Sequence, residues 1–172
     1  MKTKLLIPKY MINVGSNKVI FLAGPIRDAP QWQVEAFKLL QKYNFDGYVA
    51  APVRSLEINL PFMVSNELFP RQLKWEQYYL KRASIKGCIL FWLPLRKTFK
   101  FKKAYARDTF GELGEWRGRS MCSNCNIVIG GEDEFDGFDM IKRNYQAHSP
   151  SMKFYNSLED TIKAAIKKSE LI

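Results

Sequence analysis

Short apolar runs that end in glycine or proline constrain the fold of this chain more than any other feature. Residues 18–23 form one such run, which Gly24 and Pro25 close, and residues 87–94 form a longer run that ends in proline. Runs of this length between turn residues are typical of strands that are buried on both faces. Such strands occur mainly in parallel sheets that helices cover, so the pattern indicates an α/β protein.

Strand and helix patterns alternate five times along the sequence. The predicted strands cover residues 18–23, 47–52, 87–93, 126–129 and 152–155. The predicted helices cover residues 30–43, 70–85, 111–121 and 138–147, with a final helix that Ser157 caps. This alternation predicts an α/β, flavodoxin-like, doubly wound sheet of five parallel strands in the order 2-1-3-4-5, with helices on both faces.

Length and composition set the broad class. The chain has 172 residues, which fits one domain over residues 1–172, and 47% of them are hydrophobic, as in a globular protein. No apolar run approaches the roughly 20 residues that a membrane span requires, and the N-terminus lacks the apolar core and cleavage site of a signal peptide. The three cysteines, an odd number, fit a reducing compartment. We therefore expect a cytoplasmic protein with no membrane partner.

The formal net charge is +10, and much of the excess lies in residues 96–103 and 163–168. The simplest interpretation of both clusters is a solvated surface, and a phosphate-bearing substrate near the first cluster is the alternative. Basic patches interleaved with aromatic residues can also bind nucleic acid. The chain shows no recognisable nucleic-acid-binding motif, however, so a nucleic-acid partner is not expected.

In a doubly wound sheet, ligands bind at the carboxyl ends of the strands that flank the switch point. Here this edge would contain the turn after the first predicted strand. The residues expected to line the pocket through their backbone are Gly24, Pro25 and Ile26. Arg27 could bind a 5′-phosphate and Asp28 a sugar hydroxyl, and an equal alternative is that both are exposed loop charges. Trp92 could stack on a base at this edge, although a tryptophan that ends a buried strand is more often part of the core.

Two acidic residues are candidates for chemistry. Glu112 follows the third strand among small residues, at the expected start of a helix, and its alternative role is to complement the helix dipole. Glu76 falls on the otherwise apolar face of a predicted helix, which is costly unless the carboxylate is paired or functional. A salt bridge from Glu76 to Arg71 or Lys74 is the alternative.

Several cofactors are not expected. Gly24 stands alone, so the dinucleotide fingerprint is missing, and the P-loop lysine pattern is missing as well. Cys122 and Cys125 form one Cys-x-x-Cys pair, but zinc would need about two more ligands, and His148 is the single histidine. We therefore expect neither a metal nor a cofactor.

Four segments of the sequence carry a resemblance to a known family. They are Phe21-Leu-Ala-Gly-Pro-Ile26, Trp75-Glu76 followed by Leu80 and Ala83, Gly87-Cys-Ile-Leu-Phe-Trp-Leu-Pro94, and Gly111-Glu-Leu-Gly-Glu-Trp116. In this order, over residues 18–131, they resemble the nucleoside 2-deoxyribosyltransferase-like family. The resemblance implies a flavodoxin-like fold and an enzyme that moves a 2-deoxyribosyl group between bases, or to water in the hydrolase branch.

The resemblance also implies roles for particular residues. The nucleophilic glutamate of the family's Glu-x-Gly motif corresponds to Glu112, followed by Leu113 and Gly114. A carboxylate near the anomeric carbon can stabilise or trap the positive charge that forms when an N-glycosidic bond breaks. Family members carry an aspartate a little further upstream than Asp108, which makes Asp108 a third catalytic candidate at a different spacing.

The resemblance implies the partners too. They would be a nucleoside or nucleotide, a free base, and further copies of the chain, since related proteins form homo-oligomers with sites near subunit contacts. The aromatic-rich residues 60–69 could then cover a neighbour's site, and the basic residues 96–103 would lie near the site mouth. Two alternatives to sugar transfer stay open: hydrolysis of a deoxynucleoside 5′-monophosphate, and a catalytically silent module that senses a nucleotide.

Overall fold

The computed structural model describes residues 2–8, 11–53, 68–100 and 104–171, with side chains in the second helix from residue 72 onward. The strands are β1 (Lys4–Leu6), β2 (Val19–Ala23), β3 (Tyr48–Ala50), β4 (Gly87–Leu93), β5 (Ile127–Gly131) and β6 (Phe154–Tyr155). The helices are α1 (Trp32–Lys42), α2 (Leu68–Ile85), α3 (Arg107–Cys122), α4 (Phe138–Gln146) and α5 (Leu158–Glu170). None of these described helices is long and apolar enough to cross a membrane.

All strand pairs of the sheet are parallel, and the strand order is β1-β3-β2-β4-β5-β6. Without β1, this is the 2-1-3-4-5 order of the flavodoxin-like class. The predicted α/β, doubly wound fold is therefore confirmed. The predicted count of five strands is wrong, because β1 adds a sixth at one edge. This strand has three residues, of which only Leu6 is buried, so it carries too short an apolar run to be recognised.

The helices cover both faces of the sheet. Side chains of β2 and β4 alternate between the faces, so Phe21 and Phe91 pack toward α2, α3 and α4. Leu22 and Leu90 pack toward α1 and α5 on the other face. Because both faces are buried, β2 and β4 are apolar at every position, which is why the sequence shows continuous runs there.

The third helix begins earlier than predicted. It starts at Arg107, four residues before the expected residue 111, so Glu112 lies in its second turn instead of at its start. The buried side chains of α3 are Thr109, Leu113 and Trp116, which lie at helical spacing on one face. Thr109 is polar, so the first turn of this buried stripe gives no apolar signal in the sequence.

Gly24 fixes the end of β2 against the end of β4. Its φ is +149°, and a Cβ atom at this position would lie 2.3 Å from the Trp92 carbonyl oxygen and 2.9 Å from the Trp32 ring. A residue with a side chain would push the two strand ends apart. Pro25 is held next to it, because Trp32 Nε1 donates a hydrogen bond of 2.8 Å to its carbonyl oxygen. The loop that follows β2 is thereby fixed at the switch point of the sheet.

Candidate functional site

A cleft of about 380 Å³ opens at the carboxyl ends of β2 and β4. Its walls are the loop after β2, the exposed side of the first half of α2, and the first turns of α3 with the residues before them. The residues chosen from the sequence that line this cleft are Gly24, Pro25, Ile26, Arg27, Asp28, Glu76, Asp108 and Glu112. Segments up to 88 positions apart in the sequence therefore meet at the edge where doubly wound sheets bind ligands.

Glu112 projects into this cleft from the second turn of α3 and is half-buried. Burial, and after it the charges of Glu76, Asp108 and Glu115 in that order, together raise the pKa of its carboxyl to about 8. A carboxyl whose pKa lies near neutrality can exchange a proton during a reaction. A strongly raised pKa in a cleft is also typical of functional carboxyls.

Glu76 reaches the same cleft from α2 and is half-buried. The amide of Gln72, one helical turn earlier, donates a hydrogen bond of 2.9 Å to its Oε1. Of the two alternative partners, Lys74 lies two positions away, and side chains at that spacing on a helix do not face each other. The side chain of Arg71 lies outside the described part of the chain. The structure thus brings two carboxyls from different helices to one space, close enough for the charge of Glu76 to raise the pKa of Glu112.

Asp108 lies at the rim of the cleft, one turn before Glu112 on the same helix. Its side chain is 86% exposed, and one carboxyl oxygen lies 3.7 Å from Nε of Arg107. Its charge raises the pKa of Glu112 by less than that of Glu76 does. Water screens a carboxylate this exposed, so Asp108 is placed to influence Glu112 more than to take part in bond cleavage.

Asp28 is the most buried charged residue of the cleft wall, with a side chain only 3% exposed. Its Oδ2 lies 2.5 Å from Arg96 Nη2, and its Oδ1 accepts hydrogen bonds from the Thr98 hydroxyl at 2.7 Å and the Lys100 amide at 3.2 Å. The structure therefore directs this carboxylate toward residues 95–100. Of the two alternatives for Asp28, the one in which it is an exposed loop charge is wrong.

The mouth of the cleft carries both charge and apolar surface. Arg27 is exposed there, next to Ile26, whose side chain is 41% exposed. Of the basic cluster 96–103, residues 96–100 run past Asp28. Residues 101–103 lie outside the described part of the chain, as do residues 60–67 of the aromatic-rich segment.

Trp92 is not brought into the cleft. It is 4% exposed and packs in the core on the side of α1 and α5, together with Trp32 and Leu90. In a strand that is buried on both faces, the sequence gives no alternation that would tell which face a side chain takes. Of the two alternatives for Trp92, the structure shows the one in which it is part of the core.

Among the cleft residues that are not sequence candidates, Gln72 and Tyr105 make the hydrogen bonds that shape it. Gln72 holds Glu76, and the signal for it is the spacing of four residues on one helix face. Tyr105 lines the cleft between β4 and α3, and its hydroxyl donates a hydrogen bond of 2.8 Å to the Pro94 carbonyl oxygen. Burial raises the pKa of this hydroxyl well above its usual range. Its only signal in the sequence was an aromatic side chain within a basic loop.

A second cavity, of about 430 Å³, lies at the opposite edge of the sheet between the ends of α3, α4 and α5. Its charged lining residues are Lys153, Lys167 and Lys168, and its described lining contains no carboxylate or histidine. Its lining offers Cys125, serines and Tyr145 as reactive groups, but no carboxylate that could face a developing positive charge. The smaller cleft with the carboxyl pair is therefore the candidate active site.

Cys88 is buried in β4, whereas Cys122, Cys125 and His148 lie near the same opposite edge. Cys122 and His148 are exposed, and Cys125 is half-buried. Within the described ranges, no group of three histidine, cysteine, aspartate or glutamate residues is arranged to hold a metal ion.

No model of a known protein family matches this chain, and no curated protein matches it.

The raised pKa of Glu112 has a measurable effect on stability. The folded pKa of Glu112 is near 8, above the ordinary value near 4.5, so the folded protein holds the proton of this carboxyl more tightly than the unfolded chain does. The stability that this bound proton contributes is fully present below pH 4.5 and is lost as the pH rises through 8. Glu112→Gln removes this charge. The free energy of unfolding of the variant, relative to that of the unchanged protein, should therefore be about 2 kcal/mol higher at pH 9 than at pH 5, allowing for solvent screening at a half-buried site.

Urea unfolding at pH 5 and pH 9 measures this difference. Glu115→Gln is the matched control, because Glu115 lies on the same helix with an exposed side chain paired to Arg119. The control should show much less change with pH. A Glu112→Gln effect that is equal at both pH values would show that the carboxyl is not buried as described.

Proposed function

We propose that this protein is an enzyme that cleaves the N-glycosidic bond of a deoxynucleoside or related nucleotide and transfers the sugar to another base. The observation that carries the proposal is the meeting of Glu112 and Glu76, from two helices, in one cleft at the switch point of the sheet. The resemblance of the motifs around both residues to the nucleoside 2-deoxyribosyltransferase-like family supports the same reaction.

Glu112 is the proposed nucleophile. Its carboxylate attacks the anomeric carbon, the electrons of the C–N bond leave with the base, and a covalent glycosyl-enzyme forms. A ring nitrogen of the second base then attacks the same carbon and releases Glu112, so the configuration at the anomeric carbon is retained.

Glu76 supplies the second half of the chemistry. Two nearby carboxyls share a proton, because both cannot ionise easily at short separation. The raised pKa of Glu112 leaves the shared proton on Glu112 in the free protein near neutral pH. On substrate binding this proton passes to Glu76, so that Glu112 attacks as the carboxylate while Glu76 gives the proton to the departing base and later recovers one from the incoming base. Gln72 orients Glu76 for this step through its hydrogen bond to Oε1.

The size and opening of the cleft suit a substrate of this class. Ligand pockets typically enclose about 300–1,000 Å³, and this cleft lies at the small end of that range. The exposed Arg27 at its mouth favours a substrate with a 5′-phosphate, as in the alternative of deoxynucleoside 5′-monophosphate hydrolysis. A sensor that binds a nucleotide without turnover is the third possibility.

Incubating the protein with a deoxynucleoside or its 5′-monophosphate, each with and without a second free base, separates the three functions. Exchange of the base supports the transferase, and free deoxyribose or its phosphate supports the hydrolase. Binding without either product supports the sensor. The Glu115→Gln variant is the control for general damage to α3, and it should behave as the unchanged protein does. The absence of both products and binding would overturn the proposal.

We also predict that the protein forms at least a dimer, most simply with two-fold symmetry. One side of the cleft is open, and the apolar side chains of Leu73 and Ile26 at its rim are 46% and 41% exposed. A second copy would cover this rim. Light scattering at working concentration should give at least twice the mass of 20.1 kDa for one chain, and a monomeric mass would contradict the prediction.

A further inference from the structure

The carboxylate of Asp28 already has its acceptor positions filled. Oδ2 accepts from Arg96 Nε at 3.1 Å and from Nη2 at 2.5 Å, and Oδ1 accepts from the Thr98 hydroxyl and the Lys100 amide. A carboxylate offers about four acceptor sites. These four donors occupy them, so no site is left for a sugar hydroxyl.

The backbone of Asp28 makes the same connection. Its carbonyl oxygen accepts hydrogen bonds from the amides of Lys97 at 2.7 Å and Thr98 at 3.1 Å. Its φ of 61° lies in the left-handed region, which aspartate and asparagine tolerate better than most residues. Residues 95–100 are therefore attached to the loop after β2 through both the side chain and the backbone of one residue.

Arg96 extends this connection into the cleft. Its guanidinium lies 4.6 Å from the ring centre of Phe99 and 5.9 Å from that of Tyr105. The Tyr105 ring lines the cleft, and its hydroxyl is bonded to the Pro94 carbonyl. A planar guanidinium can bind a carboxylate and stack on rings at the same time, which a lysine cannot do.

We infer that Asp28 is a positioning residue that acts through Arg96 to hold residues 95–100 against Tyr105, and so fixes the wall of the cleft that the Tyr105 ring forms. The inference rests on the proposed function for the meaning of the cleft, and on the contacts alone for the positioning. Two charged residues thereby receive structural roles. Asp28 does not bind the sugar, and Arg96 is held by Asp28 and orders the wall.

Asp28→Asn is the first test, because asparagine fits the left-handed backbone and changes only the carboxylate. The asparagine amide has a single acceptor oxygen, so the hydrogen bonds that one of the two Asp28 carboxylate oxygens accepts must be lost. Hydrogen exchange of the Lys97 and Thr98 amides is the readout, since their acceptor is a backbone carbonyl that the substitution leaves in place. We expect these amides to exchange about tenfold faster or more if the segment is released.

Arg96→Lys is the second variant. The Arg96 side chain is 22% exposed, so this variant should fold even if Asp28→Asn does not. Both variants should shift the ring resonances of Tyr105 in protein with 13C-labelled tyrosine. With an active substrate, both should raise KM about tenfold while kcat changes less than about threefold, because the wall holds the substrate without touching the bond that breaks. The double variant should be no worse than either single one, since both remove the same contact.

Asp136→Asn, at an exposed position outside the cleft, is the matched control and should change none of these values. Unchanged amide exchange and unchanged Tyr105 resonances in both variants would overturn the inference, as would additive effects in the double variant. If the unchanged protein turns over no nucleoside, the proposed function fails. The exchange and resonance measurements still decide whether Asp28 positions the wall.

Discussion

Glu112→Ala should lower turnover by about a thousandfold or more while leaving the protein folded, because removal of a nucleophile costs several kcal/mol of transition-state stabilisation. The position of the carboxyl in the cleft and its raised pKa are the basis for this expectation. Initial rates of base exchange or base release measure the effect, and circular dichroism checks the fold. Retention of more than about a tenth of the activity would reject the nucleophile role.

The covalent step offers a direct test of the same residue. Unchanged protein mixed with a deoxynucleoside, without an acceptor base, should carry a deoxyribosyl adduct that mass spectrometry locates on the peptide containing Glu112. Glu115→Ala is the control on the exposed side of α3 and should keep both the adduct and the turnover. An adduct on Glu76 instead would exchange the two roles.

Gly87→Ala should be the most destabilising small substitution in the sheet. Gly87 begins β4 with a φ of +156°, and an added Cβ would lie 1.8 Å from the carbonyl oxygen of Val19 in the neighbouring strand. Relief of this clash requires β2 and β4 to separate at the centre of the sheet. We expect a loss of about 4 kcal/mol or more, a large part of the stability of a typical domain.

Gly118→Ala makes the same chemical change with the opposite expected sign. Gly118 lies within α3, and a Cβ there would meet nothing within 4 Å. Alanine in an exposed helix is favoured over glycine by about 0.5–1 kcal/mol, so this variant should be more stable. Urea unfolding of both variants measures the pair, and a stable Gly87→Ala protein would mean that the start of β4 is not packed as described.

The sequence was sufficient for the arrangement of the sheet because its central strands are buried on both faces and leave continuous apolar runs. It was insufficient for β1, since a three-residue edge strand with one buried side chain leaves no such run. The start of α3 was also misplaced, because Thr109 interrupts the apolar stripe and glycines at positions 111, 114 and 118 weaken the helical pattern.

The carboxyl candidates could be found from their motifs, and the structure places Glu76 and Glu112 in one cleft. The partner of Asp28 could not be found, because Arg96 lies 68 residues away and no local spacing links the two. Pairing between distant charges depends on the folded topology, whereas a pair such as Gln72 and Glu76 follows from helix geometry alone.

The lengths of the outer strands have a consequence for behaviour at high concentration. The sheet ends in β1, with three residues, and in β6, with two. A long, flat outer strand exposes unpaired amides and carbonyls that can recruit another chain and begin aggregation. These short strands, with the exposed Lys4 at one of them, offer almost no such template. Within the part of the chain that the structure describes, the sheet therefore offers little surface for edge-to-edge growth, and we expect copies to assemble through helices and loops.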